Sequence, residues 1–478
     1  MNADTHSIRL AIVGHANAGK TSLMRTLLRD AEFGEVADYA GTTRHVEGTA
    51  IQVDGQNAIE LFDTPGLEDS MALLEAWQDM SFAGDLSNPA EKMRYFVDLP
   101  QTKTDFEQEC KVLQQALLCD VMLYVIDVRE SCLGKYQDEI ALLLEVGKPI
   151  IPVLNFTQED TDNSKRWREQ LVHYHMHAVV EYDTVAFTFE AEKRLYQKLQ
   201  GVLEPHYKTI QRVIEQNQKM YLQRQKSSVS TLARLLIDVG AYRIRIDSSH
   251  TADVSVERLQ DKVRDAEQAC IVEFLAIWGF DKDDVRNEFL PIINGRWQYD
   301  LFDPKNITDW GLQTGSDAAK GAAVGIGVDI IVGGLSLGAG AALGALVGTI
   351  WGTVRRHGDN IWSKLSGVQY ICVDETTLKL LWLRQWHLLN HLLHRGHATQ
   401  QAIELDISSD AATVTAWKRW LRVIRTHPQW SGLMSGAEKT MTFDNTMYDF
   451  QQKLADELLV LMRAEHENQS DEAPLTQA

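Results

Sequence analysis

The sequence predicts an α/β domain over residues 1–204, followed by a mostly α-helical domain over residues 205–463. Apolar, β-branched runs such as residues 8–13 and 121–128 alternate with helically spaced segments in the first part. That alternation is typical of a parallel sheet with helices on its faces. After about residue 195 strand-like runs largely disappear, and ten of the twelve tryptophans follow Pro205. Large aromatic side chains favour a packed helical core there.

Composition and charge narrow the class of protein. A chain of 478 residues is too long for one ordinary core, and 44% hydrophobic with 24% charged residues is typical of a soluble globular protein. The net charge of −20 argues against sequence-independent nucleic-acid binding, because the phosphate backbone would be repelled. We therefore expect no strong nucleic-acid partner.

Cysteine usage and the chain ends suggest where the protein acts. The five cysteines are scattered and form no C-x-x-C pair, which fits a reducing compartment. Residues 1–7 show no basic stretch leading into an apolar run, so no secretory signal is expected. The expectation is a cytoplasmic protein, with peripheral attachment to the inner membrane as the alternative. The acidic tail at residues 464–478 is expected to be disordered.

A phosphate-binding motif lies directly after the first predicted strand. Residues 14–21, GHANAGKT, fit the pattern G-x-x-x-x-G-K-[ST] and precede a predicted helix. In such a loop the glycines let backbone N–H groups converge on phosphate oxygens, and the helix N-terminus adds positive charge. Lys20 would contact the β- and γ-phosphates, and the Thr21 hydroxyl would bind Mg²⁺. The predicted nucleotide-binding residues here are Gly14, His15, Ala16, Asn17, Ala18, Gly19, Lys20, Thr21 and Ser22.

Two further motifs follow in the order that a nucleotide switch requires. Residues 39–45 contain Thr43, whose hydroxyl can bind Mg²⁺ while its N–H faces the γ-phosphate. Residues 63–66, DTPG, come directly after a predicted strand. Asp63 could hold Mg²⁺ through water, and the Gly66 N–H could approach the γ-phosphate because no Cβ blocks it. Both residues are therefore predicted to bind nucleotide or metal.

Together, GHANAGKT, GTTRH and DTPG resemble the Era/TrmE/EngA-type translation-factor-like GTPases. The resemblance implies a Rossmann-like P-loop G domain that hydrolyses GTP to GDP and phosphate. By position it places Mg²⁺ on Thr21, Thr43 and Asp63, and it assigns catalytic roles to Lys20, Thr43 and Gly66.

Leu67 and Asn17 differ in how they compare with known GTPases. Leu67 stands where Ras-like enzymes carry a water-orienting glutamine, a departure typical of the resembled group. Asn17 matches a P-loop asparagine that helps to bind K⁺ in some relatives. A monovalent cation could then stabilise charge in place of an arginine finger.

The guanine-reading motif Asn-Lys-x-Asp is degraded. Residues 155–158 read NFTQ, so Asn155 is present and is predicted to bind nucleotide, while Phe156 and Gln158 replace the lysine and aspartate. Glu159 or Asp160 could substitute after a small loop shift. The resemblance favours GTP over ATP or a relaxed base preference, and the sequence leaves that choice open.

Two segments outside these motifs stand out. Residues 67–118 form an unusually long connection, which is either an enlarged switch II region or a passive insertion. Residues 318–352 are glycine-rich and apolar, with glycines spaced by four, and predict a hairpin of two short helices. Asp329 disfavours a continuous membrane span. Three uses stay open for the hairpin: burial within the helical domain, membrane contact and homo-oligomerisation.

The arrangement as a whole is similar to a bacterial GTPase family whose C-terminal domain is known only as a domain of unknown function. The predicted function is a slow, Mg²⁺-dependent GTPase that acts as a molecular switch through the helical domain, which reads its GTP or GDP state. The alternatives are a membrane-associated, dynamin-like GTPase, a ribosome or RNA assembly GTPase, and a pseudo-GTPase that only binds nucleotide.

Overall fold

The computed structural model describes residues 7–28, 47–82, 88–157, 161–183, 189–246, 252–279, 292–293, 296–303, 328–332, 369–393, 411–434 and 445–472. Two compact units divide the chain mainly between Tyr221 and Leu222. The first unit is α/β and the second is mostly helical, as the sequence predicts.

A six-stranded sheet in the order β2-β3-β1-β4-β5-β6 forms the centre of the first unit. The β2–β3 pair is antiparallel, whereas the other neighbours are parallel. A turn at Asp54 and Gly55 joins β2 to β3, with both residues at positive φ. The strands are β1 (Ile8–Val13), β2 (Glu47–Val53), β3 (Gln56–Asp63), β4 (Val121–Asp127), β5 (Ile150–Asn155) and β6 (Val180–Glu181).

Helices cover both faces of this sheet. Successive side chains of β1, β4 and β5 point alternately into two apolar clusters, one on each face of the sheet. Both faces of these strands are therefore buried, which explains their nearly continuous apolar sequences. The helices are α1 (Lys20–Leu28), α2 (Ser70–Gln78), α3 (Pro89–Asp98), α4 (Pro100–Asp105), α5 (Glu107–Leu118), α6 (Gly134–Glu145), α7 (Thr161–His173) and α8 (Phe189–Val202).

The long connection between β3 and β4 is an integral part of the first unit. Its helices α2, α3 and α5 bury Leu73, Phe96 and Leu113 in the same apolar cluster as Tyr124 of β4. This connection therefore contributes core residues, not only surface.

Helix α9 (Tyr207–Ala241) contains the boundary between the units. Ile210, Val213 and Ile214 of its first part pack in the apolar cluster that includes β1. The Tyr221 ring stacks on Phe189, with ring centroids 4.7 Å apart. The first unit therefore extends past the boundary expected between residues 204 and 205, because the start of α9 completes its core.

The second unit combines long helices with a small antiparallel sheet. Its three-stranded sheet has the order β10-β11-β7, and a separate hairpin pairs β8 with β9. The helices are α10 (Ala252–Trp278), α11 (Glu375–Leu393), α12 (Ala411–Thr426) and α13 (Asn445–Glu472). The strands are β7 (Arg243–Ile246), β8 (Ile292–Ile293), β9 (Arg296–Trp297), β10 (Val328–Val332) and β11 (Gln369–Val373).

Strand β10 corrects the expected helical hairpin at residues 318–352. Residues 328–332 read VDIIV and pair antiparallel with β11, Val328 opposite Val373. Four of these five residues are β-branched, and that composition favours a pleated strand over a helix. The remaining residues of the expected hairpin lie outside the described ranges, so its three proposed uses stay predictions.

Tryptophans and one buried ion pair mark the core of the second unit. Trp382 of α11 stacks on Trp417 of α12 at 5.3 Å between ring centroids, as the clustering of tryptophans predicts for a real core. The Arg384 guanidinium lies 3.2 Å from the Glu267 carboxylate, and both side chains are buried. Burial lowers the pKa of Arg384 and raises that of Glu267, with each group's charge opposing the shift of the other.

Candidate functional site

The loop at residues 14–19 connects β1 to α1 at the carboxyl edge of the parallel strands. Gly14 and Gly19 adopt φ values of +147° and +92°, a region that L side chains rarely enter. A Cβ on Gly14 would lie 2.4 Å from the Val125 carbonyl oxygen of β4. Both glycines are therefore required by the geometry of the loop, and Asn17 adds a third positive φ of 63°.

Lys20 directs its ammonium group back into this loop. The side chain is 7% exposed, and its Nζ donates hydrogen bonds to the carbonyl oxygens of Gly14 at 3.1 Å and His15 at 2.7 Å. Burial lowers the pKa of Lys20, whereas the charges of Asp63 and Glu139 act in the opposite direction. The loop thus holds a cation in place by two backbone carbonyls.

Thr21 and Asp63 bring two oxygen groups together beside the loop. The Thr21 Oγ1 donates a 2.6 Å hydrogen bond to Asp63 Oδ2. The register of β1 and β3, with Ile12 beside Asp63, places this carboxylate at the same sheet edge as the loop. Hydroxyl and carboxylate oxygens are hard ligands that suit Mg²⁺, so this pair fits the metal that the sequence predicts.

Gly66 lies against the loop more closely than any side chain would allow. A Cβ there would lie 2.8 Å from both the backbone nitrogen and the Cα of Ala16. The next residue donates its N–H to the Gly14 carbonyl at 3.2 Å, and its side chain, Leu67, is fully buried in the core. Leu67 therefore cannot orient a water as the corresponding glutamine of Ras-like enzymes does.

The segment after Leu67 is fastened by α5 and α6. The backbone N–H groups of Glu68 and Asp69 both donate to Glu109 Oε1, at 3.2 and 3.0 Å. The Ser70 Oγ donates to the carbonyl of Lys135 at 3.0 Å. Glu109 is only 6% exposed, so its carboxylate is committed to these contacts. Sequence patterns gave no indication of this role, since a lone glutamate on a helix is usually solvated.

Asn155, the last residue of β5, contacts the loop through its side-chain amide. Its Nδ2 donates to the Ala18 carbonyl at 3.0 Å, and the side chain is fully buried. A Cβ on Gly19 would lie 2.3 Å from that Nδ2, which gives a second reason for glycine at position 19. The predicted site residue Asn155 is therefore in direct contact with the phosphate-binding motif, through its backbone.

Phe156 follows at the end of β5 with a left-handed backbone, φ 59°. The Arg129 guanidinium lies 3.8 Å from the centroid of its ring. Arg129 is in turn held by Asp127 at the end of β4, through Nε at 3.0 Å and Nη2 at 2.8 Å. The ring is also close to the loop, because its Cζ lies 3.6 Å from the position of a Cβ on Gly19.

A buried carboxylate lies on the other side of the loop. Glu139 of α6 is fully buried and accepts a hydrogen bond from the Tyr124 hydroxyl at 2.8 Å. Its other oxygen lies 2.7 Å from His15 Nδ1. Burial, followed by the negative charge of Glu139, raises the pKa of Tyr124 well above its ordinary value. His15 was expected only as part of the loop, and the sequence did not indicate its carboxylate partner.

The remaining predicted site residues divide into placed and undescribed ones. Ala16 and Ala18 take part in the contacts above through their backbones, and Ser22 lies in the first turn of α1. Thr43 and the rest of residues 29–46 lie outside the described ranges, as do Gln158, Glu159 and Asp160. The assigned roles of these residues stay predictions.

Among the described helices, none is long and apolar enough to cross a membrane. Over the described ranges, no group of three or more His, Cys, Asp or Glu side chains is arranged to hold a metal ion.

Comparisons with known proteins agree with this geometry. Residues 9–156 match the family described as "50S ribosome-binding GTPase", and residues 168–455 match the family described as "Domain of unknown function (DUF3482)". The first unit has the fold of a P-loop GTPase domain of the Era and EngA type. The chain belongs to the DUF3482 family, whose domain follows that GTPase domain.

Curated relatives match only part of the chain. GTPase Der of Staphylococcus epidermidis is 25% identical over 215 residues, which cover 44% of this chain and 42% of that protein. GTPase Der of Desulforamulus reducens is 26% identical over 168 residues, 34% of this chain and 32% of that protein. The chain thus spans less than half the length of these curated relatives.

Era in complex with MgGDPNP and a piece of 16S ribosomal RNA aligns with a TM-score of 0.31 and 18% identity, over 41% of this chain and 57% of that chain. Aquifex aeolicus Era bound to GDP.AlF4- aligns with a TM-score of 0.30 and 20% identity, over 41% and 56% of the two chains.

Proposed function

We propose that this protein binds GTP together with Mg²⁺ at residues 14–22 and hydrolyses it slowly to GDP and phosphate. The second unit then acts as the effector part of a nucleotide-dependent switch. The observation that carries the proposal is the buried Lys20 ammonium inside the glycine loop, beside the Thr21–Asp63 oxygen pair. A cation and two hard oxygen ligands around one backbone cradle suit a triphosphate with its metal.

Lys20 and the loop backbone would perform the binding. The ammonium is already positioned by the Gly14 and His15 carbonyls, so little side-chain ordering remains when a phosphate oxygen arrives. A bound triphosphate would favour the charged form of Lys20 and oppose the effect of burial on its pKa. The same cation would stabilise charge that develops between the β- and γ-phosphates.

Thr21 and Asp63 would hold Mg²⁺, with Thr43 as the third predicted contact. When bound, the metal supplies charge neutralisation to the β- and γ-phosphate oxygens. The close approach of Gly66 to Ala16 supports its proposed role as the backbone contact that responds to the γ-phosphate.

We expect slow turnover because the Leu67 side chain is buried and has no polar group that could orient the attacking water. Asn17 is the proposed contact for K⁺, which would supply charge in place of an arginine finger. The proposal therefore includes faster hydrolysis in potassium than in sodium buffer.

The test is GTP binding and phosphate release by the full-length protein with Mg²⁺. Lys20→Ala should weaken GTP binding by about 10- to 150-fold, because a charge-assisted hydrogen bond to phosphate is lost. Lys103→Ala is the matched control, since Lys103 forms an exposed ion pair with Asp98 on α4 and α3. Normal GTP binding by Lys20→Ala would contradict the site. Binding without phosphate release would instead identify a pseudo-GTPase.

Besides the nucleotide and its cations, the large ribosomal subunit is a candidate partner of this protein. The description of the family that matches residues 9–156 names the 50S ribosome, which favours this partner over other RNA. The net charge of −20 opposes contact driven by electrostatics alone, so binding would require a local surface. Co-sedimentation with purified 50S subunits, with GTP and with GDP, measures it.

A further inference from the structure

His15 occupies the first variable position of the phosphate-binding loop, where the motif leaves the residue type open. Its backbone carbonyl accepts the shorter of the two hydrogen bonds from Lys20 Nζ, at 2.7 Å against 3.1 Å for the Gly14 carbonyl. Gly14 directly precedes it, and glycine places few restrictions on the backbone, so the loop sequence alone does not fix the direction of the His15 carbonyl. A contact from outside the loop is needed to hold it.

Glu139 of α6 supplies that contact. Its Oε1 lies 2.7 Å from His15 Nδ1, and its Oε2 accepts a hydrogen bond from the Tyr124 hydroxyl at 2.8 Å, so both carboxylate oxygens are engaged. An ionised carboxylate only accepts hydrogen bonds, and the His15 Nδ1 therefore donates in this pair. The carboxylate thus connects the loop to β4 and α6.

For packing alone, the position of Glu139 would suit an apolar residue better. The side chain is fully buried, and its neighbours Tyr136, Ile140 and Leu143 on α6 belong to the apolar cluster on that face of the sheet. Taking a carboxylate out of water is costly unless hydrogen bonds to it compensate. The bond to the loop is therefore what glutamate provides here that an apolar side chain could not.

The Tyr136 ring restricts the His15 imidazole further. It lies three residues before Glu139 on α6 and meets the imidazole edge-on, with 5.5 Å between ring centroids. Tyr136 is itself held by the Trp167 ring at 5.2 Å, and its hydroxyl donates a hydrogen bond to Glu130. An edge-to-face contact between rings is attractive, so it stabilises this orientation of the imidazole. His15 is thus held by two side chains of one helix.

We propose that Glu139 is a positioning residue for the phosphate-binding loop: through the His15 imidazole, it fixes the backbone carbonyl that holds the Lys20 ammonium. The loop is then already ordered when a triphosphate arrives, so less affinity is lost to ordering it on binding. Glu139 acts through His15 and not on the nucleotide itself. This inference rests on the proposed function, since it assumes that the loop receives phosphates.

Two substitutions of His15 in the full-length protein test the proposal. His15→Leu keeps a bulky side chain without a hydrogen-bond donor, whereas His15→Asn keeps an N–H close to the position of Nδ1. In calorimetric titration with Mg²⁺, His15→Leu should weaken GTP binding by about tenfold, because a hydrogen bond to a charged group is lost, and His15→Asn should recover most of that loss. Without nucleotide, hydrogen exchange of the amides of residues 15–19 should accelerate by a similar factor in His15→Leu.

Glu139→Gln tests whether His15 and Glu139 act as one pair. In the Glu139→Gln background, His15→Leu should cost about threefold or less in GTP affinity, because the charged acceptor is already gone. Glu192→Gln is the matched control. Glu192 of α8 is also buried and accepts a hydrogen bond from Asn217 at 2.8 Å, and its substitution should leave GTP affinity within about twofold.

Unchanged GTP affinity and loop exchange in His15→Leu overturn the positioning role. Equally weak GTP binding by His15→Asn and His15→Leu also overturns it, as does a cost of His15→Leu that Glu139→Gln does not reduce. Should Glu139→Gln fail to fold, the two His15 variants decide. Failure of the wild type to bind GTP overturns the proposed function instead, and the exchange rates in the loop then still show whether His15 holds it.

Discussion

Gly66 and Ala16 show how single residues define the site. The backbone of Gly66 lies so close to the phosphate-binding loop that a methyl group would collide with the Ala16 main chain at 2.8 Å. Main-chain atoms within a packed loop cannot move aside as a flexible side chain can. The glycine is therefore dictated by the distance between two segments, not by a turn.

Gly66→Ala should displace the loop and weaken GTP binding by about tenfold or more, with a loss of about 1–3 kcal/mol in the free energy of unfolding from overpacking. Gly134→Ala is the control, because nothing lies within 4 Å of a Cβ at the start of α6. Titration with GTP and urea unfolding measure both effects. Wild-type affinity in Gly66→Ala would show that the contact does not matter.

Residue identity was predictable where a motif has a fixed backbone role. The sequence predicted the glycine loop, Lys20, Thr21 and Asp63, and these residues do lie together in the structure. It did not predict the contacts of Glu109 or Glu139, because acidic residues on amphipathic helices are usually solvated. Their partners are 40 and 124 positions away in the chain, so only the folded packing brings them together.

At the scale of elements, the connection between β3 and β4 is held to the loop region by one carboxylate. Glu109 Oε1 of α5 accepts the N–H groups of both Glu68 and Asp69, just after Gly66. Hydrogen bonds to a charged, buried acceptor are worth more than ordinary ones. Helix α5 thereby restrains the segment that is proposed to respond to the γ-phosphate.

Glu109→Ala should release this segment. Hydrogen exchange of the Glu68 and Asp69 amides should accelerate by about tenfold or more, because the loss of bonds to a charged acceptor lowers the local opening free energy by about 1.5–3 kcal/mol. Glu109→Gln keeps a carbonyl oxygen at the same position and should show a smaller acceleration. Equal exchange rates in Glu109→Ala and wild type would contradict the restraint.

Element types were predictable from pattern, with one informative exception. Strands β1 and β4 follow the predicted apolar runs at residues 8–13 and 121–128, because burial on both faces leaves a nearly continuous apolar sequence. Residues 318–352 were expected to form a hairpin of two short helices, with Asp329 between them, because glycines there repeat every four positions. Residues 328–332 form strand β10 instead, since β-branched residues favour a strand and these residues pair with β11.

At the scale of the whole molecule, the net negative charge places some carboxylates close to one another, and Asp329 is an example. Asp329 in β10 is partly buried, 4.0 Å from Arg425, and also experiences the charges of Asp374 and Glu375. Burial, followed by the charge of Asp374, raises the pKa of Asp329 from 3.8 to about 6. The folded second unit thus binds a proton more strongly at this carboxyl than the unfolded chain does.

The sign of the pH dependence follows from linkage. A carboxyl with a raised folded-state pKa opposes folding above about pH 6, and this penalty disappears as the pH falls through about 6 towards 3.8. Asp329→Asn should therefore be more stable than wild type at pH 7.5 by about 1–2 kcal/mol, and this difference should shrink by pH 4.5.

Urea unfolding of the full chain at both pH values measures that difference. Asp449→Asn is the control, since Asp449 is exposed on α13 and should give the same small difference at each pH. A stability difference for Asp329→Asn that stays constant between the two pH values would contradict the assignment.

Helix α9 has a practical consequence for expressing the nucleotide-binding half alone. A fragment that ends at residue 204 would lack Ile210, Val213 and Ile214. These apolar side chains belong to the cluster that covers one face of the sheet. Such a fragment would expose apolar surface and aggregate, whether or not its nucleotide site is intact. Truncation after Tyr221 keeps these side chains and the ring that stacks on Phe189.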